Sequence, residues 1–291
     1  MTTVETLAGG EPARSPGRDA LRRLLSNRSF LLGGTLVLAV LLVALFADAL
    51  SPFDPLRNNV RARLKPPSAA NWFGTDHFGR DILSRILHGA RISLTIGLFV
   101  VVLTGLFGTL IGAVAGYFRP LDNPVMRLMD ALMAFPAILL AITVSAVLGA
   151  SVTNVVIALA VATTPHTARI VRGSVLVVRE LEFVEAARAL GAGEARILLR
   201  HVLANALGPL IVRLTYVFAV AILSEAALSF IGVGPPPPAP SFGAIIAGGR
   251  DFMAEAPWIT LFPGLAIIVS VLGLNLLGDG LRDVLDPRSA P

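Results

Sequence analysis

A lone glutamate, Glu225, sits inside a long apolar stretch of this 291-residue chain. A carboxylate in such a place is costly, so it faces a cavity or finds a partner. Two roles are open to Glu225: contact with an amine near the mouth of a translocation path or gate, or an internal hydrogen bond or pairing with another helix. Arg213 cannot be that partner, because twelve helical residues separate the two along roughly 18 Å of axis. Asp76, His77 and Asp81 form a second polar cluster. Their stretch is rich in glycine and arginine, and no second ligand group follows, so helix capping and Asp–Arg pairing explain them better than a metal. The expectation is no metal site. His88, His166 and His201 are isolated and read as ordinary surface or interface residues. With no cysteine, thiolate chemistry and disulfides drop out. A phosphate-binding loop needs Gly-x-x-x-x-Gly-Lys-Ser/Thr, and the only lysine, Lys65, precedes Pro66. Neither a zinc-protease helix nor a Gly-x-Ser-x-Gly elbow is present. The residues offer no catalytic set.

The elements that must hold these groups are apolar helices. The chain is 55% hydrophobic and 15% charged, against roughly 25% charge for soluble domains. An apolar run of about 20 residues spans the hydrocarbon core. Six such runs are predicted, at 30–50, 92–116, 131–149, 152–170, 210–231 and 258–278. The fourth is the weakest, holding Pro165 and turning polar at its end. The first follows about 29 polar residues with five arginines and reads as a retained span rather than a signal peptide. The fold class is an all-α integral membrane protein of about six transmembrane helices.

Basic residues set the orientation. With the N-terminus inside, the cytoplasmic segments carry 16 of the 24 basic residues, among them Arg14, Arg18, Arg22, Arg23 and Arg288. The other side carries eight, seven of them in the segment 51–91. The two-to-one excess places both termini in the cytoplasm, although the 51–91 segment runs against the rule. The arginines are spread between apolar spans, so no nucleic-acid partner is expected; membrane lipid is.

Two patterns lie in or beside these spans. Gly108, Gly112 and Gly116 recur every fourth residue and put small residues on one helix face. That face either packs inside the subunit or forms a seam with a second subunit. Between the fourth and fifth spans, Arg179 to Leu190 can form an amphipathic helix. Phe183, Ala186, Ala187 and Leu190 fall at i, i+3, i+4 and i+7. Glu185 and Arg188 can pair at i, i+3, and Gly191 and Gly193 stop the helix. A second helical pattern, 194–207, leads into Pro209. A short apolar face at the water side covers something: the membrane interface or a groove on a soluble partner. Periodicity alone leaves both open.

Glu185-Ala186-Ala187, three further residues and then Gly191 resembles the coupling loop of permease subunits in bacterial ATP-binding-cassette (ABC) importers. The match runs on to His201-Val202-Leu203-Ala204-Asn205-Ala206-Leu207 and is similar to the dipeptide/oligopeptide/nickel branch, which usually has proline where this chain has Ala204. Gly74-Thr75-Asp76-His77-Phe78-Gly79-Arg80-Asp81, with Ser84-Arg85 and Gly89-Ala90-Arg91-Ile92-Ser93-Leu94, resembles the segment after the first helix of C-type subunits. Glu225-Ala226-Ala227-Leu228-Ser229-Phe230-Ile231-Gly232, the prolines at 235–238 and Pro240-Ser241-Phe242-Gly243 resemble the end of the fifth helix and the loop beyond it. Together the resemblance covers roughly 26–287.

The resemblance implies a type I ABC importer permease fold and half of a translocation path for di- or oligopeptides or a similar small solute. It implies as partners a homologous second permease, two ATPase subunits and an extracytoplasmic solute-binding protein. No cofactor is expected on this chain; ATP and Mg belong to the ATPases. Coupling falls to Phe183, Glu185, Ala186, Ala187, Leu190 and Gly191. The implied organisation is a cytoplasmic tail at 1–29, a first helix and external segment at 30–90, a core at 91–281 containing the coupling loop at about 172–207, and a cytoplasmic tail at 282–291, all in the bacterial cytoplasmic membrane. The rival reading, an ion-coupled secondary transporter, predicts several intramembrane ionisable residues and inverted repeats; only Glu225 lies well inside a span, and no repeat is convincing.

Overall fold

The computed structural model of the chain describes residues 24–285. Expectations for Arg14, Arg18, Arg22, Arg23 and Arg288, and for most of both tails, lie outside those residues. Within the described residues the α-helices are numbered in chain order, beginning with α1 (Arg28–Leu45) and α2 (Ala47–Leu50). A long irregular segment leads to α3 (Ile82–Tyr117), followed by α4 (Arg119–Met133), α5 (Ala137–Leu148) and α6 (Val152–Val178). The short α7 (Glu182–Ala189) and α8 (Glu194–Arg196) precede a π-helical turn, Ile197–Val202. α9 (Leu203–Ile231), α10 (Phe242–Gly249) and α11 (Trp258–Leu285) complete the described chain.

Short polar side chains start four of the helices by accepting from backbone N–H groups that the first turn leaves bare. Asn27 accepts from Phe30, Asp81 from Ser84, Ser151 from Asn154 and Ser241 from Ala244. Asp81 opens α3 ten residues before the predicted span. The added turns carry Arg85, His88 and Arg91, and Asp48 of α2 meets the last two. Arg91 Nη2 donates to Asp48 Oδ2 at 3.0 Å, and His88 Nε2 lies 3.0 Å from Asp48 Oδ1. His88 is therefore a link between α2 and α3 rather than an isolated surface histidine.

Among the described residues five helices are long and apolar enough to cross a membrane, and a bent pair brings the number to six. The third predicted span is that pair, and here the single-helix expectation needs correction. α4 and α5 meet at 89° around Phe135 and Pro136. Proline offers no N–H to continue the helix and disfavours helical backbone just before it. α5 has twelve residues, roughly 18 Å at 1.5 Å per residue, too short alone for a core of about 30 Å. The fourth span, by contrast, runs unbroken through Pro165 to Val178.

α6 is the central post. Its apolar window is the most buried of the five, and it packs against α3, α4, α5 and α9. The glycine stripe of α3 makes the closest approach. A methyl group on Gly108 would lie 2.7 Å from Thr167 Cγ2, one on Gly112 2.4 Å from the Ala168 carbonyl oxygen, and one on Gly116 2.9 Å from Val175. The three glycines thus face a helix of their own chain. Elsewhere the spans expose Leu31, Leu38, Leu98, Phe99, Val102 and Leu106, a surface suited to lipid rather than water.

Candidate functional site

The stretch after α6 folds back as a ledge across one end of the bundle. Val184, fully buried, holds α7 in an apolar cluster with Val175 and Val178 of α6, Ile197 and Val202 of the π turn, and Leu210 of α9. Arg179 Nη1 donates to the Gly116 carbonyl at 2.6 Å, supplying a cation and a donor where α3 ends in unpaired carbonyls. Arg172 fixes α4 to α6 through two bonds to Asp122, at 2.5 and 2.6 Å, and Arg169 pairs with Asp130 beside it.

At 100° per residue, α7 has two apolar flanks rather than one face. Val184 and, in part, Ala187 turn inward. Phe183, 43% exposed, and Leu190, 88% exposed, turn outward with Ala186. The predicted stripe is therefore divided, with Ala187 leaving it and Val184 missing from it. Val184 and Ala187 stand at i, i+3, so their pairing was available in the sequence. The helix begins at Glu182 rather than Arg179. The expected Glu185–Arg188 pair is not made: Arg188 Nε bonds Glu194 Oε1 at 3.1 Å, and the Tyr117 hydroxyl donates to the other oxygen of Glu194. Glu185 remains exposed on the wall of a cleft of about 450 Å³ that also holds Arg119, Arg179 and Arg188.

Gly191 ends α7. Its φ of +82° places it in the left-handed region, where a side chain is strained. Its N–H bonds the Arg188 carbonyl at 3.0 Å, and the Ala192 N–H reaches back to Ala187 at 3.1 Å. That pair of bonds is a Schellman cap. No atom lies within 4 Å of where a Cβ would stand, so backbone conformation and not crowding demands glycine here. The predicted helix at 194–207 becomes α8, the π turn and the start of α9. Ala204, where the resembled branch has proline, lies in the first turn of α9.

At the other end, Glu225 makes internal hydrogen bonds within the bundle. It is 0% exposed. Ser229 and Ser241 each donate to Oε1 at 2.7 Å, and Ser93 donates to Oε2 at 3.3 Å. Ser93 in turn accepts from the Phe242 N–H at 3.2 Å. One carboxylate thereby ties α3, α9 and α10 together. Nearby, Asp76 accepts from the Phe78 and Arg80 N–H groups at 2.8 and 2.9 Å and from Arg80 Nε at 2.7 Å. Asp81 accepts from Ser84 and from Asn71. Among the described residues no group of three or more possible metal ligands comes together.

The fold is that of a multi-span helical membrane protein with a ledge at one end and a hydrogen-bonded cap at the other, and sequence comparison gives its class. Residues 108–291 match the family described as binding-protein-dependent transport system inner membrane component. Residues 15–67 match the N-terminal transmembrane domain of oligopeptide transport permease C. The chain belongs to the binding-protein-dependent transport family, as a permease of the C type. A peptide transport system permease protein of Brucella abortus is 54% identical over 94% of this chain and 93% of its own length. The dipeptide transport system permease protein of Alkalihalophilus pseudofirmus is 45% identical over 95% of this chain and 91% of its own. The glutathione transport system permease protein of Pectobacterium atrosepticum is 43% identical over 94% and 92%. Among solved structures, an inward-facing MetNI methionine ABC transporter matches 69% of this chain and 96% of its own with a TM-score of 0.57 at 18% identity, which speaks for the fold. The chain is an ABC importer permease; in this family the ATPase is a separate subunit, and membership implies in general a partner permease and a binding protein. The ion-coupled reading is set aside.

Proposed function

We propose that this chain forms half of the path for di- or oligopeptides, or a similar small solute, across the cytoplasmic membrane, with both termini in the cytoplasm. Its partners are a homologous permease, two ATPases that bind ATP and Mg, and an extracytoplasmic solute-binding protein. The names of its relatives support the cargo class. The observation that carries the coupling role is the divided face of α7: Val184 anchors the helix to the bundle while Phe183, Ala186 and Leu190 stand bare beyond it. A surface helix held by one flank and apolar on the other fits the groove of a partner better than water does. When ATP closes the ATPase pair, α7 is pushed, and rigid links at Arg179 and Arg172 carry the shift into α3, α4 and α6. ATP acts as a ligand with unequal affinity for two states of one assembly. The orientation is supported by the basic-residue excess and by the outer loop, where Arg80, Arg85 and Arg91 lie against Asp76 and Asp48 and weigh less as topological charges.

Gly191→Val tests the coupling role. A left-handed valine costs about 1–3 kcal/mol locally, and the open space around it spares the bundle. Insertion and assembly are expected to persist, with ATP turnover no longer driving uptake in reconstituted vesicles. Unchanged uptake by that variant would remove α7 from the coupling route.

A further inference from the structure

At the end of the bundle opposite α7 lies a cavity of about 360 Å³, at the small end of ligand-sized clefts, roughly 300–1,000 Å³. α3 spans 36 residues between the two ends, about 54 Å, so this cavity is remote from the ledge. It is walled by the prolines at 235–238, by Phe78 and by Ala247 and Gly248 of α10, with His77, Arg80, Arg85 and Ser229 as its charged or polar members. Arg85 is the unexplained group. Its side chain is 5% exposed, yet its Nε and Nη1 have no hydrogen-bond partner. The nearest carboxylate, Asp76, is 3.6 Å from Nη1, and Asp76 is already filled by two backbone N–H groups and Arg80. His77 Nδ1 is also without a partner.

A guanidinium has only donors, and buried donors left bare cost free energy that an acceptor would recover. Two guanidiniums face one carboxylate, so the surplus is a single positive charge. The complement is one negative charge with acceptor oxygens on a small, largely apolar body. We propose that this cavity binds the terminal carboxylate of a short peptide, with Arg85 as its receptor, Arg80 as supporting charge, and the prolines and Phe78 against the aliphatic remainder. The choice of a peptide as carrier rests on the function proposed above; the need for a carboxylate rests on Arg85.

The test uses the assembled transporter, permeases with ATPases, in lipid nanodiscs without the binding protein. Calorimetric titration with Ala-Ala is compared with titration by the same dipeptide amidated at its C-terminus. Binding of Ala-Ala is expected, weakened roughly tenfold or more by amidation, the loss typical of a charge-assisted pair. Arg85→Lys, which keeps charge but loses the planar fork, is expected to weaken it similarly. Ala247→Leu, which fills the cavity without touching the cation, does the same and stands in if the Arg85 variant fails to assemble. Absence of binding, equal binding of the amide, or full binding by either assembled variant overturns the proposal. ATP-driven peptide uptake with the binding protein present is measured in parallel; its survival alongside a failed titration sinks the cavity alone, and its loss sinks the transport reading.

Discussion

The two ends of the bundle treat polar and apolar groups in opposite ways. At the Glu225 end three carboxylates are buried and their oxygens are filled: Glu225 by three serines, Asp76 by backbone and Arg80, Asp81 by Ser84 and Asn71. At the α7 end Glu182, Glu185 and Glu194 are exposed and apolar side chains stand in the open, Leu190 most of all. A buried polar network must be complete or it destabilises; a bare apolar flank is tolerable when a partner covers it. The carboxylates of the first end are satisfied within one chain while the Arg85 guanidinium beside them is left bare; on the function proposed above, the second end is completed in an assembly. Between them, the α3–α6 seam, closed by glycines against backbone, makes the two ends one body.

The comparison breaks most severely if the seam is opened. Gly112→Leu would place a Cβ 2.4 Å from the Ala168 carbonyl oxygen, a clash that neither helix can relieve by a rotamer change. Destabilisation of at least about 3 kcal/mol is expected, the upper end of overpacking costs, seen as loss of monodisperse protein on size-exclusion in detergent. Recovery of normal yield and melting would show that the helices are not so tightly seated. Next in size is Glu225→Ala, which strands three buried hydroxyl donors at about 1–3 kcal/mol for each that stays unpaired. A fall in thermal stability together with transport is the expected outcome. Normal melting with transport abolished would instead return Glu225 to the path.

A matched pair on α7 sharpens the contrast more gently. Val184→Ala removes two buried carbons, about 1.5 kcal/mol, and should lower the melting temperature. Leu190→Ser, at an 88% exposed site, should leave melting unchanged and weaken retention of the ATPase on affinity co-purification. A reversal of these two effects would mean that the flanks are assigned backwards. The smallest effect belongs to pH. Burial lowers the His77 pKa below its usual 6.5, with nearby Asp76 opposing and Arg80, Arg85 and Arg63 assisting. A histidine held low in the folded state contributes stability that is present above its unfolded pKa and lost as pH falls through its folded one. Mild acidification below about 6.5 should therefore loosen the outer segment slightly, read as faster amide exchange at 76–80, and His77→Gln should abolish that dependence.

Much of the plan was legible along the chain. The long apolar runs at 92–116, 210–231 and 258–278 became helices because length and hydropathy are local properties that a bilayer reads directly. The capping residues Asp81 and Ser241 lie within three or four residues of what they cap. The break at Gly191 needed only a residue free to adopt a positive φ. The α4–α5 bend was harder to see, because the apolar run across Pro136 read as one span.

What the chain order could not decide is which distant groups meet. Glu225 finds Ser93 across 132 residues of sequence, and Arg188 takes Glu194 over the nearer Glu185. Gly112 could have faced a second subunit and instead faces Ala168. Spacing specifies the side of a helix on which a residue lies, because helical geometry is set by local backbone sterics and hydrogen bonding. The neighbour on that side is selected by packing of the whole bundle, where volume, burial and hydrogen-bond satisfaction are judged together. The long helices and some of their caps were thus sequence properties, while the knot at Glu225, the division of α7 and the bare guanidinium of Arg85 emerged only once the helices were assembled.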